Sequence, residues 1–273
     1  MCAAALLLCR ATASAQGTPS PSPSPQATPS DPCGSILSIV NRPTIGTGVC
    51  TVRSGRFDIE SGWLNSTVTG MGAGNVSTYG ATLLRFGTSD PHLDLEITPP
   101  LYNTSSLGNA VTSGWSDAAI GAKYELGYSS NADWGVNAEL IVPTGSQAFS
   151  GKGPQYAGNF NWGYTINSVL GVNGTVGFNE LRAADSSGAF QSYFAFIPTF
   201  EATATLPGPS QFFAEYAYFS QAGSGLGAKS EMDFGYIRDF GSHLQFDVEF
   251  GVTPTVIGGQ RQRYFGAGFS FMN

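Results

Sequence analysis

Hydrophobic and polar residues alternate with a period of two along most of the chain. In the segment HLQFDVEFGVTP, residues 243–254, five large apolar residues alternate with Gln245, Asp247, Glu249 and Gly251. Successive side chains of a β-strand point to opposite faces, so this segment predicts a strand with one apolar face and one acidic face. The period does not fit an amphipathic helix, whose apolar residues recur every three or four positions.

About twelve segments of this kind follow one another, each of roughly ten residues, which is the length that a tilted strand needs to cross a bilayer. They are residues 55–64, 78–86, 93–99, 116–127, 134–142, 156–166, 169–178, 191–206, 211–219, 227–240, 243–254 and 263–272. The connections between them alternate in length. Short connections are predicted at 88–92, 129–133, 167–168, 207–209 and 241–242, and longer ones at 65–77, 100–115, 144–155, 179–190, 220–226 and 254–260.

Short turns at one rim and longer loops at the other are typical of outer-membrane proteins. We therefore predict an all-β fold, an antiparallel up-and-down transmembrane β-barrel of about twelve strands. The barrel must be closed, because an open edge in hydrocarbon would leave backbone groups unpaired at several kcal/mol each. The apolar face of each strand then contacts outer-membrane lipid, and the acidic face points into the barrel. An even number of strands places both termini at the rim with short turns.

The chain ahead of the first strand divides into three parts. Residues 1–15 have a short apolar core and end in Ala-Ser-Ala, which predicts a secretory signal peptide. Residues 16–32 are rich in Pro and Ser, and predict an extended periplasmic tether. In an exported protein Cys33 and Cys50 most simply pair as a disulfide, within a segment, 33–54, that precedes the barrel domain, 55–273. The sequence leaves open whether the bore is an open pore or is filled by side chains and residues 33–53.

The polar face of the strands supplies the candidate lumen-lining residues. They are Asp58, Glu60, Arg85, Asp94, Glu96, Lys123, Glu125, Glu139, Glu201, Glu215, Asp233, Asp247 and Glu249. Eleven of these thirteen are acids and two are bases, so we expect the interior to repel anions and to favour cations or neutral solutes. Any single residue of the set, such as Lys123 beside Glu125, also fits a structural ion pair.

Composition and motifs argue against several classes of function. Charged residues make up 11% of the chain, against roughly 25% in soluble domains, and the net charge of −7 disfavours nucleic acid as a partner. His92 and His243 both fall in predicted short turns, and no nucleophile or acid pair can be assembled at the long-loop rim. The segment GSQAFSGKG, residues 145–153, lacks the spacing of a phosphate-binding loop. The sequence therefore predicts no enzyme, no cofactor and no metal site.

Six stretches of the chain together resemble a known family. They are CGSILSIVNRPTIGTGVCTVRSGRFDIESGW, LLRFGTSDPHLDLEI, DAAIGAKYEL, NAELIVPTG, NFNWGYTIN and, at the C-terminus, YFGAGFSF. The set resembles the outer-membrane transporter family named for the meta-pathway of phenol degradation, and the resemblance runs from Cys33 to the end of the chain. It implies a β-barrel in the bacterial outer membrane. The chain departs from the usual pattern in that Met272 and Asn273 follow Phe271, because outer-membrane strands commonly end in an aromatic residue.

We therefore expect an outer-membrane channel or transporter for the passive uptake of small solutes, including aromatic or apolar molecules. The expected partners are outer-membrane lipid and a small-molecule solute. A structural or adhesive barrel without transport is one alternative. An outer-membrane hydrolase is the other, although it would need a catalytic group at the long-loop rim.

Overall fold

The computed structural model describes residues 31–69, 73–185, 187–254 and 261–273. The predicted signal peptide and nearly all of the predicted tether lie outside these residues. The elements are α1 (Ile36–Ile39), β1 (Phe57–Thr69), β2 (Gly74–Tyr79), β3 (Leu83–Gly87), β4 (Leu93–Thr98), β5 (Tyr102–Leu107), β6 (Ala110–Trp115), β7 (Ala118–Tyr128), β8 (Ala132–Val142), β9 (Gln155–Thr165), β10 (Leu170–Ala184), β11 (Phe190–Leu206), β12 (Ser210–Phe219), β13 (Lys229–Phe240), β14 (Leu244–Val252) and β15 (Arg261–Met272).

The strands form one antiparallel sheet that closes on itself. Its order is β15-β14-β13-β12-β11-β10-β9-β8-β7-β4-β3-β1-β2-β5-β6, and β15 also pairs with β1, from Asp58 opposite Met272 to Thr69 opposite Arg261. Three consecutive pairs of strands, β2 with β3, β4 with β5 and β6 with β7, are each one long strand interrupted by a few residues. The fifteen elements therefore make a closed barrel of twelve strands, which confirms the predicted fold class.

The predicted long loops are shorter in the structure than the sequence indicated. Residues 100–115, predicted as a loop, mostly form β5 and β6, and β1 and β10 both extend beyond their predicted ends. The sequence did not predict these extensions as strands, because they carry polar residues on both faces, as in YNTSSL of β5, and so show no alternation. Pro99 and Pro100 separate β4 from β5, since proline has no backbone N–H to donate to a ladder.

The two faces of the wall differ as the alternation predicted. In β14, Phe246 and Phe250 are 47% and 48% exposed on the outside, whereas Asp247 between them is 3% exposed. Large exposed aromatic and aliphatic side chains cover the outside of the other strands in the same way. An apolar exterior of this extent fits contact with lipid rather than water. Within the described ranges, no helix is both long enough and apolar enough to cross a membrane.

The two residues that follow Phe271 extend the seam between β15 and β1. The Asn273 side chain accepts a hydrogen bond from the backbone N–H of Phe57 (2.7 Å), and the Asn273 N–H donates to the carbonyl oxygen of Phe57 (3.2 Å). Met272 is buried inside the barrel. Met272 and Asn273 therefore add contacts where the sheet closes.

Candidate functional site

Residues 33–53, hereafter the plug, lie inside the barrel. Hydrogen bonds join the plug to β1, β3, β4, β7, β8, β9, β10, β12 and β14, which surround it on all sides. The disulfide predicted between Cys33 and Cys50 is present. Both cysteines join an apolar cluster with Ile36, Ile39, Val40, Val52 and Met272. Of the two arrangements that the sequence left open, the structure has the filled bore.

Two wall carboxylates bind the backbone of the plug. Glu60 accepts hydrogen bonds from the N–H groups of Asn41 (3.1 Å) and Arg42 (2.9 Å). Glu215, which enters from the other side of the bore, accepts from the N–H of Ile45 (2.6 Å) and from the next N–H along the chain (2.8 Å). A charged acceptor strengthens such bonds, so the plug is fixed to two distant parts of the wall.

The Arg42 side chain packs against two glycines of the wall. Its guanidinium forms an ion pair with Asp247, with Nη2 and Oδ1 3.1 Å apart. Gly62 and Gly268 are cross-strand partners in β1 and β15, and a methyl group at either position would collide with the Arg42 guanidinium. The wall therefore leaves room for Arg42 through residues that have no side chain.

Arg85 is the centre of a buried charge network between the wall and the plug. It has no exposed surface, and its guanidinium lies 2.7 Å from Asp94, 3.4 Å from Glu96 and 3.7 Å from Glu60. It also donates to the carbonyl oxygens of Cys50 (2.7 Å) and Ile39. A buried guanidinium needs such partners, because an unpaired charge inside a protein is costly.

Lys123 and Glu125, neighbours on β7, both contact the N-terminal segment. The Lys123 ammonium donates to the side chain of Asn41 (2.7 Å) and lies 3.7 Å from Glu96. Glu125 forms an ion pair with Arg53 at 3.1 Å. The sequence had suggested an ion pair between these two neighbours. In the structure each of them contacts the plug instead.

Twelve of the thirteen sequence-predicted interior residues are buried, and Glu139 is half-buried. The uncharged part of the interior lies outside the set of predicted residues. Thr47 of the plug hydrogen-bonds to Asn161 (2.8 Å), Asn137 (3.3 Å) and Thr175 (3.0 Å). These wall residues occupy polar positions of the same alternation, so restricting the candidates to charged residues is what left them out.

Two cavities lie on opposite sides of residues 41–44 of the plug. The outer cavity, about 290 Å³, lies toward the long loops and is lined by Thr47, Thr98, Asn137, Glu139 and Asn159 among others. The inner cavity, about 230 Å³, lies toward the short turns and extends past Asp133, Thr203 and Gln211. Asn41, Arg42 and Thr44 line both cavities. These plug residues therefore form the partition between the two ends of the bore.

The two histidines lie at the rim with short turns, as predicted. The ring of His92 is 3.8 Å from Glu125, and the Nδ1 atom of His243 is 2.7 Å from the carbonyl oxygen of Met272. Among the described residues, the groups with metal-ligating atoms close together all include Cys33, whose sulfur is bonded to Cys50. These groups therefore offer no free thiolate to a metal ion.

A family model described as "Putative MetA-pathway of phenol degradation" matches residues 40–272. No curated protein sequence matches the chain. Among solved structures, an outer-membrane channel from Pseudomonas putida F1 is 13% identical with a TM-score of 0.59, over 82% of this chain and 98% of that one. The porin NanC is 11% identical with a TM-score of 0.53, over 79% of this chain and 98% of that one.

The translocator domain of the autotransporter NalP from Neisseria meningitidis is also similar, at 11% identity and a TM-score of 0.53, over 81% of this chain and 90% of that one. At these identities the likeness is one of fold, and it agrees with the closed barrel described above. The family match is a match of sequence, and it spans the plug from Val40 onward and every strand of the wall. The chain belongs to the family of the MetA-pathway of phenol degradation.

Proposed function

We propose that this protein is an outer-membrane channel through which small solutes pass by diffusion. The observation that carries the proposal is a closed barrel with an apolar exterior, a polar interior and a cavity on each side of plug residues 41–44. The channel from Pseudomonas putida F1 and the porin NanC, which share the fold, support this function. Lumen width and charge determine which solutes pass, and no covalent chemistry is involved.

The lining indicates which solutes are favoured. The thirteen wall residues named above are proposed to line the path, and eleven of them are acids. Hydroxyl and amide groups from Thr98, Asn137 and Asn159 complete the outer cavity. Such a lining repels anions and offers hydrogen bonds, so we expect small cations and small neutral molecules, including aromatic ones that carry a hydroxyl or amino group.

Location and export belong to the same proposal. Residues 1–15 would direct export, and residues 16–32 would extend into the periplasm from the rim with short turns. The Cys33–Cys50 disulfide supports an oxidising compartment. An outer-membrane barrel without transport is the competing function.

The conductance of the purified full chain in planar bilayers tests the proposal. Arg42→Met removes the ion pair with Asp247 at the partition but keeps an unbranched side chain of similar length. We expect at least a twofold rise in single-channel conductance, because the partition is then held by fewer wall contacts. Arg263→Met, at an exposed position, is the matched control and should conduct like the parent. If neither the parent nor Arg42→Met conducts, and liposomes do not swell, the barrel has a structural role instead.

A further inference from the structure

Acidic and phenolic side chains form a row across one side of the wall. Glu201, Glu215, Asp233, Gly251 and Tyr264 are successive cross-strand partners on β11 to β15. Like charges directly opposite each other destabilise a sheet, so three acids in register on adjacent strands call for compensation. Glu215 receives it from the N–H groups of the plug.

Asp233 has no such compensation. It is 0% exposed, and neither carboxylate oxygen has a hydrogen-bond partner among the described residues. In comparison, Asp247 on the next strand is paired with Arg42. Burying a carboxylate without a partner is costly. The Asp233 carboxylate is therefore an acceptor that lacks a donor.

Tyr264 provides a second, independent polar group without a partner. It is 7% exposed, and its hydroxyl oxygen is buried with no hydrogen bond to the described residues. Its ring lies over Gly251, where a methyl group would collide with the Cζ and hydroxyl oxygen atoms. Gly251 is the cross-strand partner of Asp233. Cβ positions of such partners lie about 5 Å apart, so the phenol is held next to the Asp233 carboxylate.

We infer that Asp233 and Tyr264 bind the protonated amino group of a small organic cation. An ammonium group has N–H donors and no acceptor, so the carboxylate and the phenol oxygen each accept one bond and the charge of Asp233 is neutralised. Calcium would need six to eight oxygen ligands. The described residues place no set of three carboxylate, imidazole or thiol ligands close together at this row, so an ammonium group fits better than a bare metal ion.

The position of the pair indicates what such a site does. Asp233 lies near the start of β13 and Tyr264 near the start of β15, on the side of the long loops. Glu215, which holds the plug at Ile45, is the cross-strand partner of Asp233, so a cation bound by the pair lies beside the plug. The inference deepens the proposed channel function by naming a solute class, and rests on that function only for the route of the solute.

Equilibrium binding tests the inference without requiring conduction. Butane-1,4-diamine is titrated into the detergent-solubilised full chain by isothermal calorimetry. We expect one site per barrel. Asp233→Asn should weaken binding at least tenfold and Tyr264→Phe about threefold, because the first removes the charge and the second removes one acceptor but keeps the ring. Asp239→Asn, the same change at a buried interior acid near the other end of β13, is the matched control and should bind like the parent.

Two further titrations distinguish the site from general attraction. Tetramethylammonium has the charge but no N–H donor, so it should bind at least tenfold more weakly than the diamine. Equal weakening by Asp233→Asn and Asp239→Asn would overturn the inference in favour of diffuse electrostatic attraction. Calcium binding without diamine binding would overturn it in favour of a metal site. Circular dichroism of each variant checks that the barrel is folded, and conductance of the parent reports separately on the proposed function.

Discussion

Arg85 illustrates how strongly single residues are fixed inside this barrel. Its guanidinium has no exposed surface, and carboxylates of β1 and β4 and carbonyl oxygens of the plug surround it. Removing one partner of a buried charge group costs about 3–5 kcal/mol, because the remaining charges stay buried without compensation. The wall and the plug should therefore lose stability together when this side chain is lost.

We expect Arg85→Ala to lower the free energy of unfolding by about 3–5 kcal/mol. Unfolding by urea in detergent micelles, followed by tryptophan fluorescence, measures the change. Arg263→Ala is the control, since Arg263 is exposed and such surface changes usually stay within about 0.5 kcal/mol. Equal stability of the two variants would show that the Arg85 network contributes nothing to folding.

At the scale of residues, the sequence identified the wall better than the plug. Strict alternation assigns Asp58 and Asp247 to the inside, because a side chain next to an outward one must point inward. Arg42 and Thr47 could not be found in this way. They lie in a segment without periodicity, and their partners on β14 and β9 are far away in the sequence.

At the scale of elements, the plug is a short segment with little regular structure of its own. Its one helix, α1, has four residues, and its apolar cluster is small. The disulfide spans 17 positions, and closing a loop of about that length contributes about 3 kcal/mol in the chain-entropy description. The contacts with the wall and the disulfide together give the plug its defined position.

Reduction of the disulfide should therefore loosen the plug and leave the wall intact. We expect dithiothreitol to speed amide hydrogen exchange in residues 33–53 by up to about 100-fold, since a loss of about 3 kcal/mol has that effect on local opening. Peptides from β14 should exchange at the same rate before and after reduction. A Cys33→Ser/Cys50→Ser variant, which has no bond to reduce, should exchange fast in both conditions. Unchanged exchange in the plug after reduction would mean that the wall contacts alone hold it.

The boundaries of elements were predictable only where lipid imposes a pattern. Within the membrane band one face must be apolar, so β7, β12 and β14 were found close to their observed ends. Beyond the band both faces meet water, and β5 and β6 therefore carry no alternation that the sequence analysis could use.

At the scale of the whole molecule, the excess of interior carboxylates should make the proposed channel prefer cations. We expect reversal potentials across a potassium chloride gradient to show cation preference near 0.1 M salt that falls toward equality near 1 M. The reason is that the screening length shortens from about 10 Å to about 3 Å over this range. Preference for anions at low salt would contradict the assignment of the acidic face to the conducting path.

The barrel itself, with twelve strands and short turns at one rim, followed from the sequence because bilayer thickness and backbone hydrogen bonding leave few alternatives. The filling of the bore did not follow. It depends on whether a segment of about twenty residues fits among particular carboxylates and glycines, and these meet only after the ring has formed.

The seam between β15 and β1 has a consequence for biogenesis. β15 is the strand that completes the ring by pairing with β1, and its Met272 also belongs to the apolar cluster of the plug. Closure of the barrel and packing of the plug are therefore coupled, because both depend on residues of β15. A nascent chain that lacked β15 would present two open edges, on β1 and β14, and a poorly anchored N-terminal segment, which is the kind of species that quality-control proteases remove.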